Sequence, residues 1–203
     1  MIVDFVLLIA GAVLIIDGRT PRILAAYVVL AFTVSIFILP SALESPLSLT
    51  LFTMSVLLKL VVAPIGILMF LRANPPANDL LPSIPLPARF MLVIAFALIS
   101  RAVGHFPSLA SIPMQDLVAY VVLCSAGMLV VHRNLLAHVM GLLALGAGIT
   151  FAGATLAPTL PEFVELGATF DALVATVLGL TLVRSIVAHS PILDVESLRR
   201  LRG

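Results

Sequence analysis

LTLFTMSVLLKLVVAPIGILMFL, from Leu49 to Leu71, is an unbroken apolar run of 23 residues with one charge in it, Lys59. An upright helix needs ~20 residues to cross the hydrocarbon core of a bilayer. The run is therefore read as a transmembrane helix, and it sets the expectation for the rest of the chain. Six further apolar stretches fit beside it: Ile2 to Ile16, Ile23 to Leu39, Phe90 to Val103, Leu117 to Val131, Leu135 to Ala157 and Phe163 to Ala188. Several are short, and their ends are expected to extend into the flanking polar residues.

The composition agrees. Of 203 residues, 62% are hydrophobic and only 10% charged, whereas a soluble domain carries roughly 25% charged residues to coat its core. The expected fold is an all-α, polytopic membrane bundle of about seven helices over 1–189, with a short cytoplasmic tail over 190–203. Its solvent is the lipid bilayer. Asp4 stands where a signal peptide would carry Lys or Arg, and Asp17-Gly18-Arg19 replaces a cleavage site, so the first stretch is read as a retained helix. The net charge is +1 and the basic residues are scattered, which argues against nucleic acid as a partner. Cys124, the single cysteine, lies in an apolar run and is read as packing.

Turn chemistry separates the stretches: Asp17 to Pro21, Pro40 with Glu44 to Pro46, Asn74-Pro75-Pro76, Gly104 to Pro113, His132-Arg133-Asn134 and Pro158 to Glu162. Lys and Arg collect on the cytoplasmic side of helix ends. With the N-terminus outside and the C-terminus inside, nine of the ten arginines fall on the inner face. Arg101 is the exception, near the outer end of the fourth helix, where it is placed to pair with Asp4. No internal repeat is legible.

Two charges lie deep. Lys59 is ten residues into its stretch, roughly 15 Å at the helical rise, where a lysine costs about 2.5 to 3.5 kcal/mol on insertion scales. It is expected to face protein or water and to handle protons or ions, although a purely structural pairing is the competing reading. Pro64, five residues on, removes a helical hydrogen bond and predicts a kink beside the ammonium. Asp171 is roughly 12 Å into the last stretch. Either its carboxyl is neutral there or a cation such as Lys59 lies near it. Glu165 sits closer to the surface, as a solvated residue or an access route to Asp171. His138, in the first turn of the sixth helix, reads as a hydrogen-bonded helix-end residue or a proton relay. The four histidines are dispersed and no metal site is expected, nor any cofactor, since no phosphate loop, nucleophile–base pair or haem pair occurs. Gly141, Gly146, Gly148 and Gly153 give the sixth helix small faces for close packing.

The runs His132-Arg133-Asn134-Leu135-Leu136 with Met140-Gly141-Leu142, Phe170-Asp171-Ala172-Leu173-Val174, and Leu193 to Leu198 with Leu201-Arg202-Gly203 resemble hydrogenase-4 component E. So does the lysine–proline helix Leu57 to Pro64. The second half, about 115–203, is similar to the three-helix K subunit of complex I. The resemblance implies a non-catalytic subunit of a complex-I-related machine, such as a membrane-bound hydrogenase, in the cell inner membrane beside antiporter-like subunits. It implies a part in proton or sodium translocation, with Asp171 matching the second of two buried glutamates in the K subunit by its distance from Arg184. The first has no counterpart: Leu143 and Gly146 stand where the relatives carry glutamate. A structural scaffold bridging antiporter-like subunits is the alternative, and an independent transporter is weaker because few polar groups could hold a solute.

The orientation is open to labelling. In a Cys124→Ala background, cysteines placed at Arg19 or Arg133 should react only with reagent on the cytoplasmic side, and one at Glu44 only from outside. The reverse pattern would invert the topology.

Overall fold

The structure, a computed structural model, describes residues 2–73, 82–105, 114–156 and 161–189. Helices form wherever the apolar stretches run: α1 (Ile2–Ile16), α2 (Thr20–Ala42), α3 (Pro46–Leu57), a π-turn (Leu58–Val62), α4 (Ala63–Ala73), α5 (Leu86–Gly104), α6 (Gln115–Val131), α7 (Leu135–Leu156) and α8 (Pro161–His189). Because α3, the π-turn and α4 are continuous, these make seven rods, and no strand occurs among the described residues. Four rods are long and apolar enough to cross a membrane: Thr20–Ala42, Pro46–Ala73, Leu86–Gly104 and Leu135–Leu156. The C-terminal segment 190–203 lies outside the described residues.

Local chemistry sets the boundaries. Asp17 stops α1, its carboxylate accepting from the Arg19 amide at 2.9 Å and pairing with Arg22 at 3.3 Å. Ser45 caps α3 by accepting from the Ser48 amide at 3.0 Å, with Pro46 at the first position, where no amide is needed. Asn134 caps α7, its side chain accepting from the Leu136 amide at 2.8 Å.

The solvent around α5 can be read from its faces. Its buried residues are Arg89 and Ser100, while Met91, Ile94 and Leu98 are 74%, 58% and 67% exposed. Polar groups turned inward and large apolar groups turned outward are the pattern of a helix facing lipid.

The rods pack in two rows. α1 lies on α6, α2 on α7, and the α3–α4 rod on α8, while α5 flanks α6. The pairing is in register and parallel. Tyr120 donates to the Leu8 carbonyl, Tyr120 and Cys124 of α6 both back Gly11, and His132 reaches the Asp17 carbonyl, so both helices advance together. α2 and α7 begin 115 residues apart, at Thr20 and Leu135, and so do α3 and α8, at Pro46 and Pro161. The two halves thus share their helix order, and two of the three helix pairs their spacing, while α1 and α6 start 113 residues apart. The side chains at this offset differ: Leu142 stands 115 residues after Tyr27, and Val174 after Lys59. Each unit has an odd number of rods, which leaves its end on the opposite face from its start. α5 returns the chain so that the second unit runs the same way as the first, an arrangement of parallel repeats.

Small residues bring the rows and neighbours close. A methyl built on Gly179 of α8 would lie 2.8 and 3.0 Å from the two γ-carbons of Val139 on α7, a stiff, β-branched side chain. Gly179→Ala should therefore lower stability by about 1 to 3 kcal/mol, read as a fall in the thermal midpoint in detergent. Gly167→Ala, whose new methyl would meet nothing within 4 Å, should leave it unchanged.

Candidate functional site

Pro64 cannot donate an amide, and the helix before it answers by widening. The Ala63 amide bonds the Leu58 carbonyl, five residues back, which is the register of a π-turn. The Lys59 carbonyl is thereby left over: Ala63 has gone to Leu58, and the residue five positions on is the proline. A buried carbonyl without a donor is costly. Tyr27 of α2, itself fully buried, supplies its hydroxyl at 3.0 Å. The expected kink at Pro64 thus takes the form of a π-turn inside a 28-residue rod, and Tyr27 is a site residue that sequence reading missed.

The same turn carries the Lys59 side chain inward, 5% exposed. Its ammonium donates to Thr150 Oγ1 of α7 at 3.0 Å. Thr150 in turn donates to the Gly146 carbonyl at 2.7 Å. Ser35 of α2, which stands 115 residues before Thr150, does the same to the Ala31 carbonyl at 2.8 Å. Ser35, Ser55, Lys59 and Thr150 line one small void of about 10 Å³. That is close to the space a single water occupies. The ammonium thus lies where the two halves meet, bonded to a hydroxyl of α7, with Ser35 of α2 and Ser55 of α3 lining the same void.

Asp171 lies elsewhere on the same cross-section. It is on the exposed surface of α8, and its Cβ is 4.0 Å from where a Cβ on Gly146 would be. Lys59, Thr150, Gly146 and Asp171 therefore follow one another from the centre of the bundle to its outside. Asp171 is exposed there, with the large apolar side chains of Phe170 and Leu173 exposed beside it. The side chain of Glu165 lies outside the described residues. His138 is remote from this line, at the start of α7, where its Nδ1 donates to the Asn134 carbonyl at 2.9 Å.

At the end of the bundle where α1 and α6 stop, a polar knot ties the loops together. His132, 1% exposed, sets Nε2 3.0 Å from the Asp17 carbonyl and Nδ1 3.3 Å from that of Met128. Burial holds its pKa below the usual 6.5, with Arg89 and His138 adding in the same direction and the two carbonyls opposing. Arg89 donates to the Ile16 carbonyl, and Ser83 joins the Val131 carbonyl through both its amide and its hydroxyl. Among the described residues no group of three His, Cys, Asp or Glu side chains could hold a metal ion.

These features define an all-helical membrane bundle with one lysine buried between two parallel three-rod units. No protein-family model, curated protein or solved structure matches the chain.

Tyr27→Phe keeps the ring and removes the donor. It should destabilise the protein by about 1 to 3 kcal/mol, the cost of an orphaned buried carbonyl, seen as a lower thermal midpoint. An unchanged midpoint would show that the π-turn does not need this hydroxyl.

Proposed function

We propose that this chain is a non-catalytic membrane subunit of a complex-I-related machine, a membrane-bound hydrogenase or a related ion-translocating complex, and that it contributes to moving H⁺ or Na⁺ or to coupling that movement. The observation that carries the reading is the burial of Lys59 midway along a rod of spanning length, where its ammonium donates to Thr150 of a neighbouring helix. A lysine in that position is expensive, and intramembrane ionisable groups are retained for function. Thr150, Ser35 and Ser55, which share a small void with it, can exchange a proton or hold a water.

Asp171 provides the outward side of the same line. A carboxylate on a helix surface at this depth is stabilised by a cationic or proton-accepting group of a neighbouring subunit. Antiporter-like subunits in the cell inner membrane are the partners that the family resemblance implies. In this reading Lys59 and Asp171 are stations on either side of α7, and Gly146 leaves the gap between them open. The exposure of Asp171 also favours a second reading, in which the residue only locks the chain into its assembly and the subunit is a scaffold.

Charge-neutral substitutions separate the two. Lys59→Met should abolish ion movement in membrane vesicles while the complex still assembles, and Asp171→Asn should do the same under the translocation reading. Loss of the assembled complex in Asp171→Asn, with transport intact wherever assembly survives, would leave the scaffold. Full transport in Lys59→Met would end the ion-handling role.

A further inference from the structure

At the end of the bundle away from His132, the first turn of α1, the last turn of α5 and the first turn of α6 surround a cavity of about 530 Å³. A second space of about 250 Å³ adjoins it and shares Arg101 and Asp116. The combined volume is that of a small-molecule site. Its lining is divided. Asp4, Ser100, Arg101 and Asp116 supply polar and charged groups at the helix ends, while Leu8, Ala97 and Leu117 make the wall toward the middle of the bundle apolar. Tyr120 is spent on the Leu8 carbonyl at 3.0 Å.

The rim is held in shape. The Gln115 side-chain amide donates to the Gly104 carbonyl at 2.8 Å, closing the end of α5. Asp116 accepts from the Leu117 amide at 3.0 Å, closing the start of α6. A methyl on Gly104 would lie 3.2 Å from the Asp116 Cβ, so the two helix ends touch. Between them Met114 adopts φ 58°, a left-handed conformation that costs a non-glycine residue of order 1 kcal/mol. Gln115 Oε1 is buried with no hydrogen-bond partner among the described residues.

We infer that this cavity binds the headgroup of phosphatidylethanolamine. A phosphodiester answers the Arg101 guanidinium, a bidentate donor, and a primary ammonium answers the Asp116 carboxylate, the two groups that line both spaces. A lone anion would meet two aspartates here, and a lone cation would meet the guanidinium. The zwitterion satisfies both. A trimethylammonium group has no N–H to donate and favours aromatic faces, so phosphatidylcholine offers the Asp116 carboxylate no hydrogen bond. The position at the helix ends is that of lipid headgroups, and the apolar wall continues toward the hydrocarbon. This inference rests on the chain being embedded in lipid and not on any role for Lys59.

The test uses the full chain in nanodiscs of phosphatidylethanolamine, phosphatidylcholine and phosphatidylglycerol in equal parts, followed by extraction and native mass spectrometry of the lipids retained. Phosphatidylethanolamine should be enriched about tenfold over phosphatidylcholine, a difference worth about 1.4 kcal/mol. Arg101→Gln and Asp116→Asn should each return the ratio to that of the bulk lipid. Asn keeps the cap acceptor of α6, and equal thermal midpoints in phosphatidylcholine alone would show that the variants fold. Lys59→Met should keep the enrichment, which separates this site from ion movement. Retention of phosphatidylcholine or phosphatidylglycerol at the level of phosphatidylethanolamine, or an enrichment that survives both variants, would overturn the assignment. So would soluble glycerophosphoethanolamine binding as tightly as the whole lipid.

Discussion

Hydrocarbon offers no hydrogen bonds, so every polar group that the long α3–α4 rod carries through the middle of the bundle has to be answered by another helix. Two such groups arise within one turn. Pro64 strips the Lys59 carbonyl of its helical donor, and the Lys59 side chain brings an ammonium to the same level. Tyr27 answers the first from α2 and Thr150 answers the second from α7. The three helices are thereby fixed in rotation as well as in height, since neither bond survives a slide of one turn. Apolar packing alone could not do this, because a lipid tail is as apolar as the leucines it touches.

The repeat explains why the hydroxyls converge there. Helices α2 and α7 face each other in register, each with a hydroxyl residue bonded to its own preceding turn, Ser35 to Ala31 and Thr150 to Gly146. Two equivalent surfaces that meet around a common line bring equivalent residues together. Such a line is the natural place for a polar group to be shared between halves. α5 lies outside the pairing. Its work is to return the chain between two units of odd rod number, and its exposed Met91, Ile94 and Leu98 accord with a helix that touches the bundle on one side only.

Much of the architecture was legible in the sequence, for a plain physical reason. A spanning helix must be apolar over its whole length, so Leu49 to Leu71 or Leu135 to Ala157 declare themselves without any knowledge of neighbours. Capping and turn residues such as Ser45-Pro46 and Asn134 marked the ends to within a few positions. The position of Lys59 within its rod could be counted in the same way. What could not be counted was direction around the helix. In a segment apolar on every side there is no stripe to show which face turns inward, and so Asp171, eight residues into its stretch, was expected inside and lies on the outer surface. The role of Tyr27 was hidden for another reason: a tyrosine in an apolar helix looks like packing until the helix opposite is known to have a spare carbonyl. The repeat was invisible because it survives in spacing and capping, with Pro46 and Pro161 in equivalent places, and hardly at all in side-chain identity.

That divergence bears on where the two charges lie. In equivalent units, position 59 corresponds to position 174 and position 171 to position 56, so Lys59 and Asp171 occupy the third rod of each unit within one turn of each other's equivalents. One rod places its charge toward the shared line and the other places it toward the outside. Three residues along a helix turn a side chain by most of a revolution, roughly 300° at 3.6 residues per turn, which returns it to a neighbouring face about 60° away. A small offset between equivalent positions, combined with opposite placement of the two rods across the bundle, is therefore enough to separate an internal lysine from an external aspartate. Under the proposed function this asymmetry sets a direction, from the buried Lys59 toward a carboxylate presented at the surface, with Gly146 between them.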